Sequence, residues 1–260
     1  RKQPLTKLYC VGDDWQSIFR FSGSDLSLFN SFEDYFGYTE KCKIEKTYRF
    51  GEPLIKLSSD FILQNQFQVP KEVQSSDSSR QTVLTLVECQ NEEGAQLEHV
   101  KSIVNGINQQ ESIMLVGRYH SDADFIPSNC IVERDQKYNV TKVRIAGREM
   151  SYNTIHSAKG LEADNIILVN CSQDGNGFPS TVSDDPILGY VLSKPEAFPF
   201  AEERRLFYVA ITRAKKHAYV LYKDTCPSPF ITDIRKAIDG KSPSKDTMTC
   251  PWCRNGNLQG

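Results

Sequence analysis

The stretch AEERRLFYVAITRAKKHAYVLY (residues 201–222) reads as a helix running straight into a β-strand. Leu206, Val209, Ala210 and Arg213 recur at helical spacing and share one face, so Arg213 arrives at the end of an apolar stripe. His217 to Tyr222 then forms a short run of strand type. The same alternation recurs along the chain. Strands are predicted over 5–11, 42–46, 83–89, 112–116, 165–170 and 217–222, and helices over 25–36, 53–64, 93–108, 201–214 and 229–239. Within 93–108, Leu97, Val100, Ile103, Val104 and Ile107 fall on one helical face. Short apolar runs interleaved with helical patterns predict an α/β fold, with a mostly parallel sheet flanked by helices.

Composition narrows the classes. The chain has 260 residues, 39% hydrophobic and 25% charged, which excludes a disordered chain and suits one large domain or two modest ones. No apolar run reaches the ~18 residues of a spanning helix, so no membrane partner is expected. Arg1-Lys2-Gln3-Pro4 shows no signal peptide and reads as a cut end, and a cytoplasmic, monomeric protein is expected. With 31 Lys+Arg against 33 Asp+Glu, the net charge of −2 argues against coating nucleic acid by bulk charge. It leaves open a local groove for a single strand. Cys10, Cys42, Cys89, Cys130, Cys171 and Cys226 are scattered beside apolar segments, the pattern of buried reduced thiols. Residues 70–82 and 172–199 read as loops, the second long enough to be functional or mobile.

Four blocks carry chemistry. VGDDWQSIFRFSG (11–23) follows an apolar run and is expected at a strand's carboxyl end, where open α/β sheets bind ligands. In it, Gln16 can donate to a phosphate oxygen, and Phe19, Arg20 and Phe21 set a guanidinium beside aromatic rings that can stack on bases. KTYRF (46–50) offers a ring and a guanidinium suited to a purine and a triphosphate. NTIHSAKGLEAD (153–164) gathers hydroxyl, imidazole, ammonium and carboxylate in one loop. From Arg204 to Lys216 there are five basic residues and no acid, a local basic patch. Each block has a plainer reading. These are a strand-end turn, packing with a surface charge, a polar turn, and a solvated helix whose basic end suits its dipole.

Taken together, in this order, the blocks resemble motifs III, IV, V and VI of superfamily 1 DNA helicases of the UvrD/Rep type, with VGDDWQSIFRFSG and TYRF most like the helicase IV branch. The resemblance spans roughly residues 8–222. It implies a RecA-like, P-loop-NTPase-type second motor domain (2A) over 41–240, preceded by the tail of a first such domain over 1–40. It implies ATP with Mg²⁺ as cofactors of the full-length protein, and single-stranded DNA and ATP as partners. By position, Gln16 would sense the γ-phosphate, Tyr48 would stack on adenine, and Arg49 and Arg213 would stabilise charge on the transferring phosphoryl group. Glu162 would bind the ribose. Phe19, Arg20, Phe21, Thr154, His156 and Lys159 would contact DNA, with Phe21 where many relatives have Trp. Ser22 stands where many relatives carry a DNA-contacting arginine. The implied activity is 3′-to-5′ translocation in DNA repair or recombination.

A helicase of this kind also needs a Walker A loop, G-x-x-x-x-G-K-[ST], and a Walker B acid pair. The string Gly240-Lys241-Ser242 follows a helix and has Arg235 where Walker A has Gly, so it is a decoy. The chain is expected to be a C-terminal piece, inactive alone in ATP hydrolysis. The segment 51–152 leaves the large 2B insertion of relatives short or absent. Residues 241–260 read as a linker and half of a zinc ribbon, with Cys250 and Cys253 as one C-x₂-C knuckle that would hold Zn²⁺ only with a second. The alternatives are a non-catalytic helicase-like module that binds DNA or protein, and the helicase part of a helicase–nuclease.

Overall fold

Ile113-Met114-Leu115-Val116-Gly117 is buried residue by residue, as a parallel strand covered on both faces must be. A computed structural model describes residues 7–135, 140–174, 176–182, 187, 190 and 196–239. In chain order its elements are α1 (Ser27–Asn30), α2 (Phe32–Phe36), β1 (Lys46–Thr47), β2 (Glu52–Pro53), α3 (Leu54–Ile62), β3 (Gln74–Ser75), β4 (Gln81–Cys89), α4 (Ala95–Gly106) and β5 (Ile113–Gly117). There follow β6 (Ile131–Asp135), β7 (Val140–Ile145), β8 (Arg148–Thr154), α5 (Ile155–Ala158), β9 (Ala163–Leu168), α6 (Ala201–Ile211), β10 (Ala214–Lys223) and α7 (Pro229–Ile238).

One sheet has the order β2-β4-β10-β9-β5-β8-β7-β6. Strands β2 through β8 in that order run parallel, and β7 and β6 extend the edge antiparallel. β1 and β3 pair separately, in parallel. Alternation splits the side chains between two cores. Met114, Val116, Ile166, Leu168, Ala218 and Val220 face the helices α3, α6 and α7, whose Phe61, Phe207 and Phe230 rings pack together. Ile113, Leu115, Ile167, Val169 and Leu221 face α4 through Leu97, Val100 and Val104. An α/β fold with a mostly parallel sheet between helices is thus what the chain adopts.

Several expectations need correction. No strand forms over the described residues of 5–11, where Leu8, Tyr9 and Val11 lie exposed. An apolar run becomes a strand only beside a partner that completes its hydrogen bonds, and none flanks it among the described residues. Of 42–46, only Lys46 enters a strand. The helix over 25–36 breaks at Ser31, whose ψ is positive. The antiparallel β6–β7–β8 meander lies outside the predicted strands. Its β7–β8 turn is Ala146-Gly147, both with positive φ, the two-residue geometry that fits strand twist. Of the cysteines expected to be buried, only Cys89 and Cys171 are, whereas Cys10 and Cys42 are exposed. Burial pushes the Cys89 and Cys171 thiols up to about 11 and about 12, leaving both unreactive. Cys250 and Cys253, with the rest of 240–260 and much of 183–195, lie outside the described residues.

Candidate nucleotide and nucleic-acid site

A cleft of about 630 Å³ opens at the amino-terminal ends of β4, β9 and β10. Tyr48 and Arg49 enter it from the turn after β1, Arg80 precedes β4, Glu162 precedes β9, and Lys215 and Lys216 lie at the start of β10. The expectation that the 11–23 block sits at a strand's carboxyl end is not met, because no strand leads into it. A 3-10 turn, Asp14–Gln16, carries Gln16 instead, with the Asp13 carboxylate accepting from the Trp15 amide.

Beside this cleft three predicted residues meet. Arg213, immediately beyond α6, is 2% exposed. Its Nε donates to the Val209 carbonyl at 3.0 Å and its Nη2 to the Gln16 side-chain oxygen at 3.1 Å. The other end of that amide donates to Asp13. Arg49 donates through Nε to the carbonyl of Thr212, next to Arg213. Burial, and after it the charge of Arg49, bring the Arg213 pKa down to about 10. Burial also lowers the pKa of Arg49, against the charges of Tyr208, Glu162 and Asp13. Both guanidiniums remain charged at neutral pH. Two cations held close in a partly dry site favour a third, anionic group between them. Glu162 pairs with Lys215 at 2.7 Å, and that hydrogen bond holds its carboxyl below the usual range. Tyr48 is 74% exposed, its ring free to take a flat partner.

The second half of the site lies across α6. Phe19, Phe21 and His156 form a ring cluster with centroids 5.3 to 5.8 Å apart. Lys159 stands 4.9 Å over the Phe19 ring and donates to the Gln16 carbonyl at 2.9 Å. Phe21 is 57% exposed and presents the platform to solvent. Burial and then Arg118 push the His156 imidazole down to about 4, so it is neutral. Such a surface, with aromatic faces and an ammonium beside them, suits unpaired bases on a phosphate chain. Thr154 is buried and caps α5, its hydroxyl accepting from the Ser157 amide at 3.3 Å. Arg20 lines a neighbouring cleft of about 590 Å³. Loop 155–162 runs from the carboxyl end of β8 to the amino end of β9, so it carries His156 to one half-site and Glu162 to the other.

The basic run 204–216 is not a surface patch. Arg204 is buried against Asp233 at 2.6 Å and the Phe61 carbonyl at 3.1 Å. Arg205, also 2% exposed, binds Glu196 at 2.6 Å and the Ser17 carbonyl at 2.6 Å. Lys215 and Lys216 pair with Glu162 and Glu111. Nine of the eleven residues of α6 are buried, so Arg204 and Arg205 serve the interior, whereas Lys215 and Lys216, in β10, line the cleft.

Sequence reasoning missed several residues. Arg118, at the carboxyl end of β5, makes a two-pronged bond to Glu203 with its Nε and Nη2. Glu203 also accepts from the Ser180 amide at 2.9 Å. Lys71 reaches Asp13 at 2.5 Å and Asp14 at 2.9 Å. The one sequence cue was a charge directly after an all-apolar strand, as at Arg118. Among the described residues no group of three or more His, Cys, Asp or Glu side chains could hold a metal ion, and no helix is long and apolar enough to cross a membrane.

Residues 133–225 match the UvrD-like helicase C-terminal domain family. The chain is 34% identical over 241 residues to DNA helicase IV of Escherichia coli (strain K12), across 92% of this chain and 33% of that protein. It is 29% identical over 137 residues to DNA helicase II of Rickettsia typhi, across 49% of this chain and 19% of the relative. It therefore spans a third or less of the length of these relatives. The C-terminal domain of a possible DNA helicase from Lactobacillus plantarum WCFS1 superposes with a TM-score of 0.41 at 15% identity, over 72% of this chain and 94% of that one. In sequence and in the order of its motifs, the chain resembles the C-terminal region of UvrD/Rep-type superfamily 1 DNA helicases, helicase IV among them.

Proposed function

We propose that this chain is the C-terminal motor half of an ATP-dependent DNA helicase that moves 3′-to-5′ on single-stranded DNA in repair or recombination. Residues 41–240 would be its second RecA-like domain, 1–40 the tail of the first, and 241–260 a linker with half a zinc ribbon. The observation that carries this reading is the meeting of Gln16, Arg49 and Arg213 beside the cleft that holds Tyr48 and Glu162.

In this reading Tyr48 stacks on the adenine and Glu162 accepts from the ribose hydroxyls. Arg49 and Arg213, both cationic and held by backbone carbonyls, face the charge that grows on the transferring phosphoryl group, as arginine fingers do. The Gln16 amide, already hydrogen-bonded to Arg213, reports the state of that phosphate. The phosphate cradle and the carboxylates for Mg²⁺ would come from Walker elements elsewhere in the polypeptide, since 1–260 holds no Walker A string. Bases would stack on Phe21 and Phe19, with Lys159 on the backbone.

The test uses the full-length protein on partial duplexes with a 3′ or a 5′ single-stranded tail. ATP-dependent unwinding of the 3′-tailed substrate alone, with no ATP hydrolysis by residues 1–260 in isolation, is the expected result. Equal unwinding of both, or robust hydrolysis by 1–260 alone, contradicts the reading.

A further inference from the structure

Segment 16–20 and helix α6 lie side by side, tied at three points. Arg213 donates to the Gln16 side-chain oxygen at 3.1 Å, Arg205 to the Ser17 carbonyl at 2.6 Å, and the Arg20 amide to Glu202 Oε1 at 3.0 Å. The two run in opposite directions. Gln16 sits at the C-terminal end of α6, by the nucleotide cleft, and Arg20 at its N-terminal end, between the platform rings Phe19 and Phe21. Eleven helical residues separate these ends by about 16 Å.

The helix itself is fixed independently of Glu202. The next residue, Glu203, clamps Arg118 of the β5 end and the Ser180 amide, and Arg204 binds Asp233 on α7. Losing the Glu202 carboxylate therefore removes the bond that ties the Arg20 amide to α6 and leaves α6 in place. A hydrogen bond from a backbone amide to a carboxylate is directional and charge-assisted, so it sets the register of Arg20 closely.

We propose that Glu202 is a positioning residue that couples the two half-sites. By holding the Arg20 backbone against α6, it makes segment 16–20 one stiff strut, so that a change at Gln16 shifts Phe19 and Phe21. This inference rests on the helicase reading above and names the tie through which nucleotide and DNA sites would communicate. Contiguity of contacts alone is no measure of coupling, so the test reads coupling directly.

The full-length protein and its Glu202→Ala and Glu202→Gln variants are assayed for ATP hydrolysis with and without oligo-dT. Glu202→Ala is expected to keep its DNA-free rate within about twofold and its KM for ATP within about threefold, and to lose about tenfold or more of its DNA-stimulated kcat. Glu202→Gln, whose amide oxygen still accepts from Arg20, should keep stimulation within about threefold of the parent. Full stimulation in Glu202→Ala overturns the inference, as does an equal loss of DNA-free and DNA-stimulated rates, or a Glu202→Gln variant as defective as Glu202→Ala. A parent without DNA-stimulated hydrolysis overturns the helicase reading itself and this inference with it.

Discussion

The Arg213 guanidinium donates to the Gln16 side-chain oxygen at 3.1 Å, across 197 positions of sequence. The amide between them can face only one way, because its nitrogen donates to Asp13, whose carboxylate is held in turn by Lys71. Lys71, Asp13, Gln16 and Arg213 thus form a relay of alternating donors and acceptors from the segment after α3 to the end of α6. Such a relay pre-orients Gln16, which lowers the reorganisation needed when an anion reaches the two arginines.

Tyr48 lines the cleft and, being exposed, adds little to the fold. Tyr48→Ala is expected to weaken binding of a fluorescent ATP analogue to the full-length protein about tenfold, the scale of one aromatic stacking contact, while Tyr48→Phe stays within about twofold. Because the ring is 74% exposed, thermal stability should move by less than about 0.5 kcal/mol. A Tyr48→Ala variant with parental affinity would remove this residue from the nucleotide site.

Phe21 should behave likewise on the other side. Phe21→Ala is expected to weaken oligo-dT binding, read by fluorescence anisotropy, by about 5- to 150-fold, the range of roughly 1–3 kcal/mol per stacked base. ATP-analogue affinity should be unchanged. Equal loss of both affinities would mean that the platform supports the fold and not the DNA.

His156 sets a pH dependence. Its pKa is about 4 in the folded chain against an ordinary 6.5, because of burial and the nearby Arg118 charge. The unfolded chain therefore takes up its proton first as pH falls. The stability from neutral His156 is complete above about 6.5 and is lost as the pH drops toward 4. Thermal melts from pH 7 to pH 5 should show a steeper fall in Tm for the parent than for His156→Asn. Parallel slopes would contradict the assignment.

What could be read in advance followed physical range. The short apolar runs of β9 and β10 and the stripe of α6 are local patterns, so those elements are legible to within a few residues. The β7–β8 turn escaped notice because Ala146 occupies a left-handed position usually marked by Asn or Gly. Arg204 and Arg205 were misread because a charge in a sequence does not reveal its direction. Their partners, at Asp233, Phe61, Glu196 and Ser17, come from distant segments. Glu202 and Glu203 had no signal for the same reason, since they serve Arg20 and Arg118 across long separations. Gln16, Arg49, Glu162 and Arg213 stand out through motif resemblance, each being a weak signal as an isolated residue. That Arg49 and Glu162 line one cleft, with Gln16 and Arg213 bonded to each other beside it, is visible only once the sheet has brought the amino ends of β4, β9 and β10 together.

The most direct measurement is DNA-stimulated ATP hydrolysis by the full-length protein carrying Arg213→Ala, beside its oligo-dT affinity. Loss of the arginine should lower the stimulated rate about 10³-fold or more, the scale of an arginine finger, with DNA affinity within about threefold of the parent. Arg213→Ala protein that melts cooperatively and hydrolyses ATP at the parental rate would contradict the account at its centre.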